Sequence, residues 1–227
     1  MDILNIFKVV TSIITVVLAF TVGVIELKKN PKYWLNRWFF LYFAAISLGF
    51  LFYTIYHLIL STPLPIIPLM ITAQILYHVG LVSVLMTVFI LEHSEAVAMS
   101  YKYLLIILGL FILSIFGYFI WIPSLNMERF EQGIIDTETP LFWYIYVSLW
   151  RILISIYVLY KFWNISKKFE GKERIRVIWF FAGSIINIGG IFLNMIGGIF
   201  SSLLLEIIGL ALFNVGTLVI LKGFLVK

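Results

Sequence analysis

Seven apolar stretches, each close to the length of a membrane-spanning helix, make up most of this 227-residue chain. A helix needs about 20 apolar residues to cross roughly 30 Å of hydrocarbon. The connections between the stretches are short and leave no length for a separate soluble domain. The stretches are approximately Ile3–Ile25, Trp38–Leu60, Pro65–Leu91, Tyr103–Ile122, Pro140–Phe162, Val177–Ile199 and Ser202–Leu221. The sequence therefore predicts one domain over residues 1–227, an all-α integral membrane protein folded as a seven-transmembrane helix bundle.

The composition excludes several other classes of protein. Hydrophobic residues make up 63% of the chain, whereas soluble domains contain about 45–50%. Backbone groups must be paired inside lipid, and stretches this long and continuous favour helices over a barrel. The net charge of +5 does not indicate a nucleic-acid partner, because the basic residues stand beside the ends of the spans. Since cysteine is absent, disulfides and thiolate metal sites are excluded.

The basic residues lie in alternate gaps between the spans and so predict an orientation. The gap of residues 123–139 is acidic instead, and two further gaps carry no charge. Because cytoplasmic connections carry the excess of Lys and Arg, we expect the N-terminus outside and the C-terminus in the cytoplasm of a multi-pass cell-membrane protein. The first stretch lacks a basic leading region and is expected to remain as helix one. The residues of the basic gaps are Lys28, Lys29, Lys32, Arg37, Lys102, Lys167, Lys168, Lys172, Arg174, Arg176, Lys222 and Lys227.

Small residues recur at helical spacing in several spans. Such residues allow two helices to approach closely. Packing within one bundle is the favoured interpretation, and a face for homo-oligomerisation is the alternative. The residues are Thr15, Ala19 and Gly23, Ala45 and Gly49, Gly190 and Gly197, and Gly209, Gly216 and Gly223.

Polar side chains inside spans are costly, so they are the candidates for function. At 1.5 Å per residue, three lie about 5–9 Å below the outer surface and four others about 15–19 Å below it. This indicates a polar pocket in the outer half of the bundle. The candidate ligand-binding residues are Arg151, Glu206, His78, Gln74, Asn194, His57, Asn187 and Asn214.

Two interpretations of these residues remain open. In the first, Arg151 meets an anionic group of a small-molecule or lipid ligand, while His78 titrates. Gln74 and Asn194 would then orient the ligand. In the second, Arg151 and Glu206 form a structural ion pair and the asparagines bridge helices. A haem held by His57 and His78 is a weaker alternative, and no cofactor is expected.

Several membrane enzymes are disfavoured by what the spans lack. The aspartates, Asp2 and Asp136, lie outside the hydrocarbon and provide no protease dyad. Lys222 stands at the end of its span, whereas a retinal protein needs a Schiff-base lysine deep in the bundle. An enzymatic function is therefore a minority hypothesis.

Four segments resemble a known family. They are Leu35-Asn-Arg-Trp-Phe-Phe-Leu-Tyr-Phe, Gln74-Ile-Leu-Tyr-His-Val-Gly continuing to Phe89-Ile-Leu-Glu-His-Ser, Thr139-Pro-Leu-Phe-Trp-Tyr-Ile-Tyr, and the basic loop before span six. Together they resemble the seven-transmembrane N-terminal sensor region of bacterial and archaeal histidine kinases. The resemblance implies a receptor-like function in signal transduction. In that family the seventh helix continues into a cytoplasmic module, so a chain ending at Lys227 is expected to signal through a cytoplasmic partner at its basic loops.

Two other classes of function remain as alternatives. A small secondary transporter or channel would use the same polar residues as a path and predicts a broken helix near the midplane. Gly189-Gly190 and Gly197-Gly198 are the candidates for that break. A structural subunit of a membrane complex would instead cover its glycine faces with other chains.

Overall fold

A computed structural model describes residues 3–59, 61–200 and 202–226. It confirms an all-α bundle with seven helices long and apolar enough to span a membrane, as in a multi-pass membrane protein. The long helices are α1 (Ile3–Lys29), α2 (Trp34–Leu58), α3 (Ile66–His93), α5 (Tyr101–Ile120), α7 (Leu141–Ser166), α8 (Gly171–Ile199) and α9 (Leu203–Phe224). The short elements are α4 (Glu95–Ala98), α6 (Met127–Glu131), β1 (Ser124–Leu125) and β2 (Thr137–Glu138), with β1 and β2 antiparallel.

The helices extend beyond several of the apolar stretches. Helix α8 begins at Gly171 rather than at Val177, and α2 begins at Trp34 rather than at Trp38. Charged residues are compatible with a helix once it has left the hydrocarbon, so hydropathy marks the membrane-embedded part and not the whole element. The expected end of span two at Leu60 and the basic Lys227 lie outside the described residues.

Because seven spans alternate in direction, the bundle has two distinct ends. The ribbon end contains the beginning of α1, the connection from α2 to α3, the turn from α8 to α9, and residues 121–140 with the β1–β2 ribbon. The basic end contains the other three connections and the end of α9. Helices α3 and α7 therefore run from the ribbon end to the basic end, while α2 and α8 run back.

Six of the long helices form a closed ring. In order around the ring, α1, α2, α3, α7, α8 and α9 each pack against the next, and α9 returns to α1. Helix α5 lies outside this ring against α3 and α7. Near the basic end an aromatic plug fills the centre, with ring centroids 4.5 Å apart for Phe162–Phe180 and 5.2 Å apart for Phe39–Phe180. The plug consists of Phe39, Phe43, Phe162, Phe180 and Phe224.

Glycines hold α8 and α9 together within the chain. A Cβ atom added at Gly190 would lie 2.5 Å from the Gly209 carbonyl oxygen, and one added at Gly183 would lie 2.5 Å from the Gly216 carbonyl oxygen. Only glycine permits so close an approach of two backbones. The glycines spaced by seven residues therefore serve packing inside one bundle.

Candidate functional site

A cavity of about 260 Å³ lies inside the ring, between the ribbon and the aromatic plug. Its walls come from α2, α3, α7, α8 and α9, and α1 contributes Lys8. At the ribbon end it is bordered by Asp136, Thr137 and Thr139. The volume is close to the lower limit of about 300 Å³ for small-molecule pockets, and a few polar groups converge in it as they do in such sites.

Six of the eight candidate residues line this cavity. They come from five different helices, so the fold brings together side chains far apart in the sequence. The six residues are His57, Gln74, Arg151, Asn187, Asn194 and Glu206.

Arg151 projects from the middle of α7 and has neutral partners. Its Nη2 atom donates hydrogen bonds to Gln74 Oε1 and, at 3.3 Å, to the hydroxyl oxygen of Tyr118. Its guanidinium also lies 5.8 Å from the ring centroid of Tyr77. Among the described residues, no acidic side chain pairs with Arg151, and no acceptor contacts its Nε or Nη1 atom. The charge of Arg151 is thus solvated by dipoles and a ring face and is not neutralised.

Glu206 pairs with a different cation. Its carboxylate forms an ion pair with the Lys8 ammonium, which α1 brings to the cavity near the ribbon end. Both side chains are largely removed from solvent, with Lys8 only 5% exposed. An ion pair between Arg151 and Glu206, one of the two interpretations of the sequence, is therefore not formed. The Asn194 amide braces the same region by donating to the Glu206 carbonyl oxygen at 3.3 Å.

Lys8 is the functional candidate that the sequence interpretation missed. The signal was present, because Lys8 lies within the first apolar stretch, where an ionisable residue is expected to have a function and a partner. Counting basic residues only in the gaps between spans passes over it. Once Lys8 is included, Glu206 has a cationic partner, and among the described residues Arg151 has no acidic one.

His57 of α2 and Asn187 of α8 both line the cavity. The Nδ1 atom of His57 is 2.8 Å from the Tyr53 carbonyl oxygen, and its ring lies 4.2 Å from the Tyr53 ring. Asn187 is buried against the α8–α9 interface beside Gly216. Both polar atoms of its side chain are shut off from solvent, and the Tyr42 hydroxyl lies within reach of them. Asn187 is therefore packed against α9 and does not present a free amide to the cavity.

The two remaining candidates lie away from the cavity. His78 is fully buried between α3 and α5, with its ring 5.6 Å from the Tyr118 ring. Asn214 joins α9 to α1, where Thr15 Oγ1 donates to Asn214 Oδ1 at 2.7 Å and Asn214 Nδ2 donates to the Thr11 carbonyl oxygen at 3.1 Å. Asn214 thus has the helix-bridging function expected of an intramembrane asparagine.

The charges around the cavity leave an excess of one positive charge. Lys8 and Glu206 neutralise each other, and Asp136 at the ribbon end is paired with Arg129 at 2.9 Å. Arg151 alone remains unneutralised among the charged residues of the described lining. In surroundings of low dielectric such a charge strongly attracts an anion. Within the described part of the chain, no group of three His, Asp or Glu side chains could hold a metal ion.

Comparison with known proteins adds no relationship to this geometry. No protein family, curated protein or solved structure matches the chain. The candidate site is consequently interpreted from its own contacts and charges.

Proposed function

We propose that this protein is a receptor-like sensor of the cell membrane that binds a small anionic ligand in the cavity beside Arg151. The proposal places the ribbon end outside the cell and the basic end in the cytoplasm, where a signalling partner would meet the basic connections. It agrees with the resemblance of the sequence to the sensor region of histidine kinases. Such a protein signals if the ligand binds two arrangements of the bundle with different free energies.

The observation that carries the proposal is the state of Arg151. A guanidinium presents five N–H donors in a planar fork suited to carboxylate or phosphate groups. Here only Nη2 has protein acceptors among the described residues, and the side chain borders an open cavity. An anionic ligand would satisfy the remaining donors, Nε and Nη1.

A route from the cavity to the basic end exists in the packing of α7. Arg151 and Lys161 lie on this helix about 15 Å apart along its axis. Lys161 forms an ion pair with Glu92 of α3 at 2.9 Å, and Phe162 belongs to the aromatic plug. A displacement of α7 at Arg151 would therefore alter contacts next to the basic connections.

Binding is tested with purified protein in lipid nanodiscs and a panel of small carboxylates, phosphates and sulfonates. A ligand at a hundredfold excess over its Kd stabilises the folded protein by about 2.7 kcal/mol, which a thermal melt detects. We expect at least one anion class to raise the Tm of the wild type and to lose most of this effect with Arg151→Gln. Arg174→Gln, the same change at an exposed position of the basic end, is the control. Equal shifts in Arg151→Gln and the wild type would refute the site.

The sensor function has its own measurement. Because the chain contains no cysteine, spin labels can be placed at Lys28→Cys and Lys168→Cys, two exposed positions of the basic end. We expect the distance distribution between the labels to shift when a stabilising anion is added. An unchanged distribution with the anion bound would exclude signalling through helix rearrangement.

The orientation is tested with the same cysteine-free background. A membrane-impermeant maleimide added to intact cells should label Glu131→Cys at the ribbon end and spare Lys172→Cys at the basic end. The reverse pattern would overturn the proposed orientation.

The structure gives less support to the two alternative classes. Helix α8 runs without interruption from Gly171 to Ile199, through both glycine pairs that could have formed the break of a transporter. The glycine faces of α8 and α9 are covered by each other, so they do not call for the other chains of a structural complex. We therefore favour the receptor function over both alternatives.

A further inference from the structure

The cavity is long in the direction of the bundle axis. Its lining runs along α7 from Trp143 to Leu159 and along α3 from Met70 to Val84. At 1.5 Å per residue these distances are roughly 24 Å and 21 Å. A cavity whose walls extend this far along the bundle axis can hold an extended molecule.

The chemistry of the wall changes at the level of Arg151. Towards the ribbon end the lining contains the Lys8–Glu206 ion pair and His57. Towards the basic end, for roughly 12 Å along α7 from Arg151 to Leu159, the described lining contains no charged side chain. The aliphatic side chains of this inner chamber are chiefly those of Ile46, Leu81, Val84, Val158 and Leu159, and its polar side chains are those of Tyr42, Ser155, Ser184 and Asn187. Arg151 thus stands between a charged part of the cavity and an uncharged, largely aliphatic part.

Helices α7 and α8 pack more loosely against each other than α8 does against α9. Ile191 and Phe192 of α8 line the cavity and are 37% and 38% exposed. The two helices touch through Tyr144 and Gly198 near the ribbon end, through a 2.6 Å hydrogen bond from the Ser148 hydroxyl to the Met195 sulfur, and through Phe162 and Phe180 in the plug. In a chain that spans the membrane, a surface at this depth faces hydrocarbon. A gap between α7 and α8 at this depth would serve as a lateral portal, which a water-soluble ligand would not need.

We infer that the ligand is a single-chain anionic amphiphile, such as a medium-chain fatty acid carboxylate, which reaches the cavity from the bilayer between α7 and α8. Its anionic group binds the free Nε and Nη1 donors of Arg151, and its aliphatic chain fills the inner chamber as far as Val84 and Leu159. This inference rests on the proposed function, because it names the ligand class of the same cavity. The burial of each methylene group of the chain adds about 0.8 kcal/mol to binding, so affinity should rise steeply with chain length until the chamber is full.

The first test measures equilibrium binding of acetate, hexanoate, decanoate and decanol to the full chain in nanodiscs, after subtraction of binding to empty nanodiscs. We expect decanoate to bind at least tenfold more tightly than acetate and tenfold more tightly than decanol. Arg151→Gln should remove the preference for decanoate over decanol. If acetate binds as well as decanoate and both need Arg151, the anion site stands and the amphiphile inference is wrong. If Arg151→Gln changes the binding of none of these ligands, the proposed function fails as well.

The second test changes the depth of the inner chamber in both directions. Val158→Phe should shorten the chamber, weaken decanoate about tenfold and leave hexanoate unchanged. Val84→Ala should lengthen it and move the preferred chain to more carbon atoms, which keeps the inference testable if Val158→Phe does not fold. Leu153→Phe, on the exposed face of α7, is the matched control. An unchanged chain-length profile in Val84→Ala and Val158→Phe would overturn the position of the chain.

The portal is tested by the rate of association. Ile191→Trp should narrow the opening and slow decanoate association several-fold with little change in Kd. Ile185→Trp, at an exposed position of α8 that does not line the cavity, should leave the rate unchanged. Equal rates in the two variants would show that the ligand arrives from the ribbon end.

Discussion

Helix α8 has two sides that differ in nearly every respect. On the side of α9 the contacts are backbone against backbone, with Gly190 and Gly209 fitted so closely that a Cβ atom on either would meet the other's carbonyl oxygen. On the side of α7 the packing is looser, the contacts are made by side chains such as Ser148 with Met195 and Phe162 with Phe180, and α8 borders the cavity. Close-packed surfaces do not deform continuously, whereas an open surface can close around a ligand. Helices α8 and α9 should consequently move as one body relative to α7.

The largest expected effect comes from breaking the tight side. Gly190→Leu must push α9 away, because its Cβ atom would lie 2.5 Å from the Gly209 carbonyl oxygen and 2.9 Å from the Phe213 nitrogen. We expect a loss of more than about 4 kcal/mol in the free energy of unfolding, the range of severe core disruptions. Gly189→Leu is the matched control on the next residue, where an added Cβ atom meets nothing within 4 Å. Unfolding in SDS titrations measures both, and a similar loss in the two variants would contradict the asymmetry of α8.

The next effect concerns the Lys8–Glu206 ion pair. Lys8→Met or Glu206→Gln alone should cost about 3–5 kcal/mol of unfolding free energy, because either change leaves an uncompensated charge in a largely buried place. The double variant should recover much of this loss. A thermal or SDS double-mutant cycle measures the coupling, and additive losses would argue against the pair.

In a double-mutant cycle with Glu206, Arg151 should show no coupling, unlike Lys8. Arg151→Gln removes hydrogen bonds to neutral partners and should cost about 1 kcal/mol of unfolding free energy. Combined with Glu206→Gln, its effect should be additive within about 0.5 kcal/mol, since no ion pair or hydrogen bond joins these described residues. Coupling above about 1 kcal/mol between Arg151 and Glu206 would indicate that the two residues interact, which would contradict the structure.

The smallest effect is expected at Tyr118. Tyr118→Phe deletes one hydroxyl whose hydrogen bond from Arg151 is long at 3.3 Å, so the unfolding free energy should fall by about 0.5 kcal/mol. Loss of this hydrogen bond should change the orientation of the Arg151 guanidinium more than it changes the stability of the bundle. We expect a several-fold loss in the affinity of the anion identified in the binding panel, measured by titration in nanodiscs. An unchanged affinity would show that α5 does not contribute to anion binding at Arg151.

The spans could be predicted from sequence because a helix that crosses lipid must be apolar along its whole membrane-embedded length. The seven helices contain nearly all of the predicted stretches, and the differences lie at ends such as Gly171, where a helix continues into the polar region. The depth of each polar side chain below the membrane surface could also be predicted, by counting residues from the end of its span. The sequence placed Arg151 and Asn187 at similar depth, and both line the cavity.

The direction in which a side chain points around its helix axis could not be predicted by counting residues along the span. Gln74 and His78 are four residues apart, which is about 400° of rotation and leaves an offset of about 40° between them. In the structure Gln74 reaches the cavity and His78 meets Tyr118 of α5. Asn214 has the correct depth but lies on the side of α9 that faces α1. Which neighbour a side chain faces depends on the order of helices in the ring, and hydropathy carries no record of that order.

Helix α5 stands outside the ring and buries few of its residues, yet its Tyr118 holds the cavity arginine. A lipid-exposed helix adjusts its tilt when the hydrocarbon thickness changes. The bilayer can thereby alter the aim of the guanidinium without entering the cavity. If an anion binds beside Arg151, we therefore expect its affinity to differ between detergent, thin bilayers and thick bilayers.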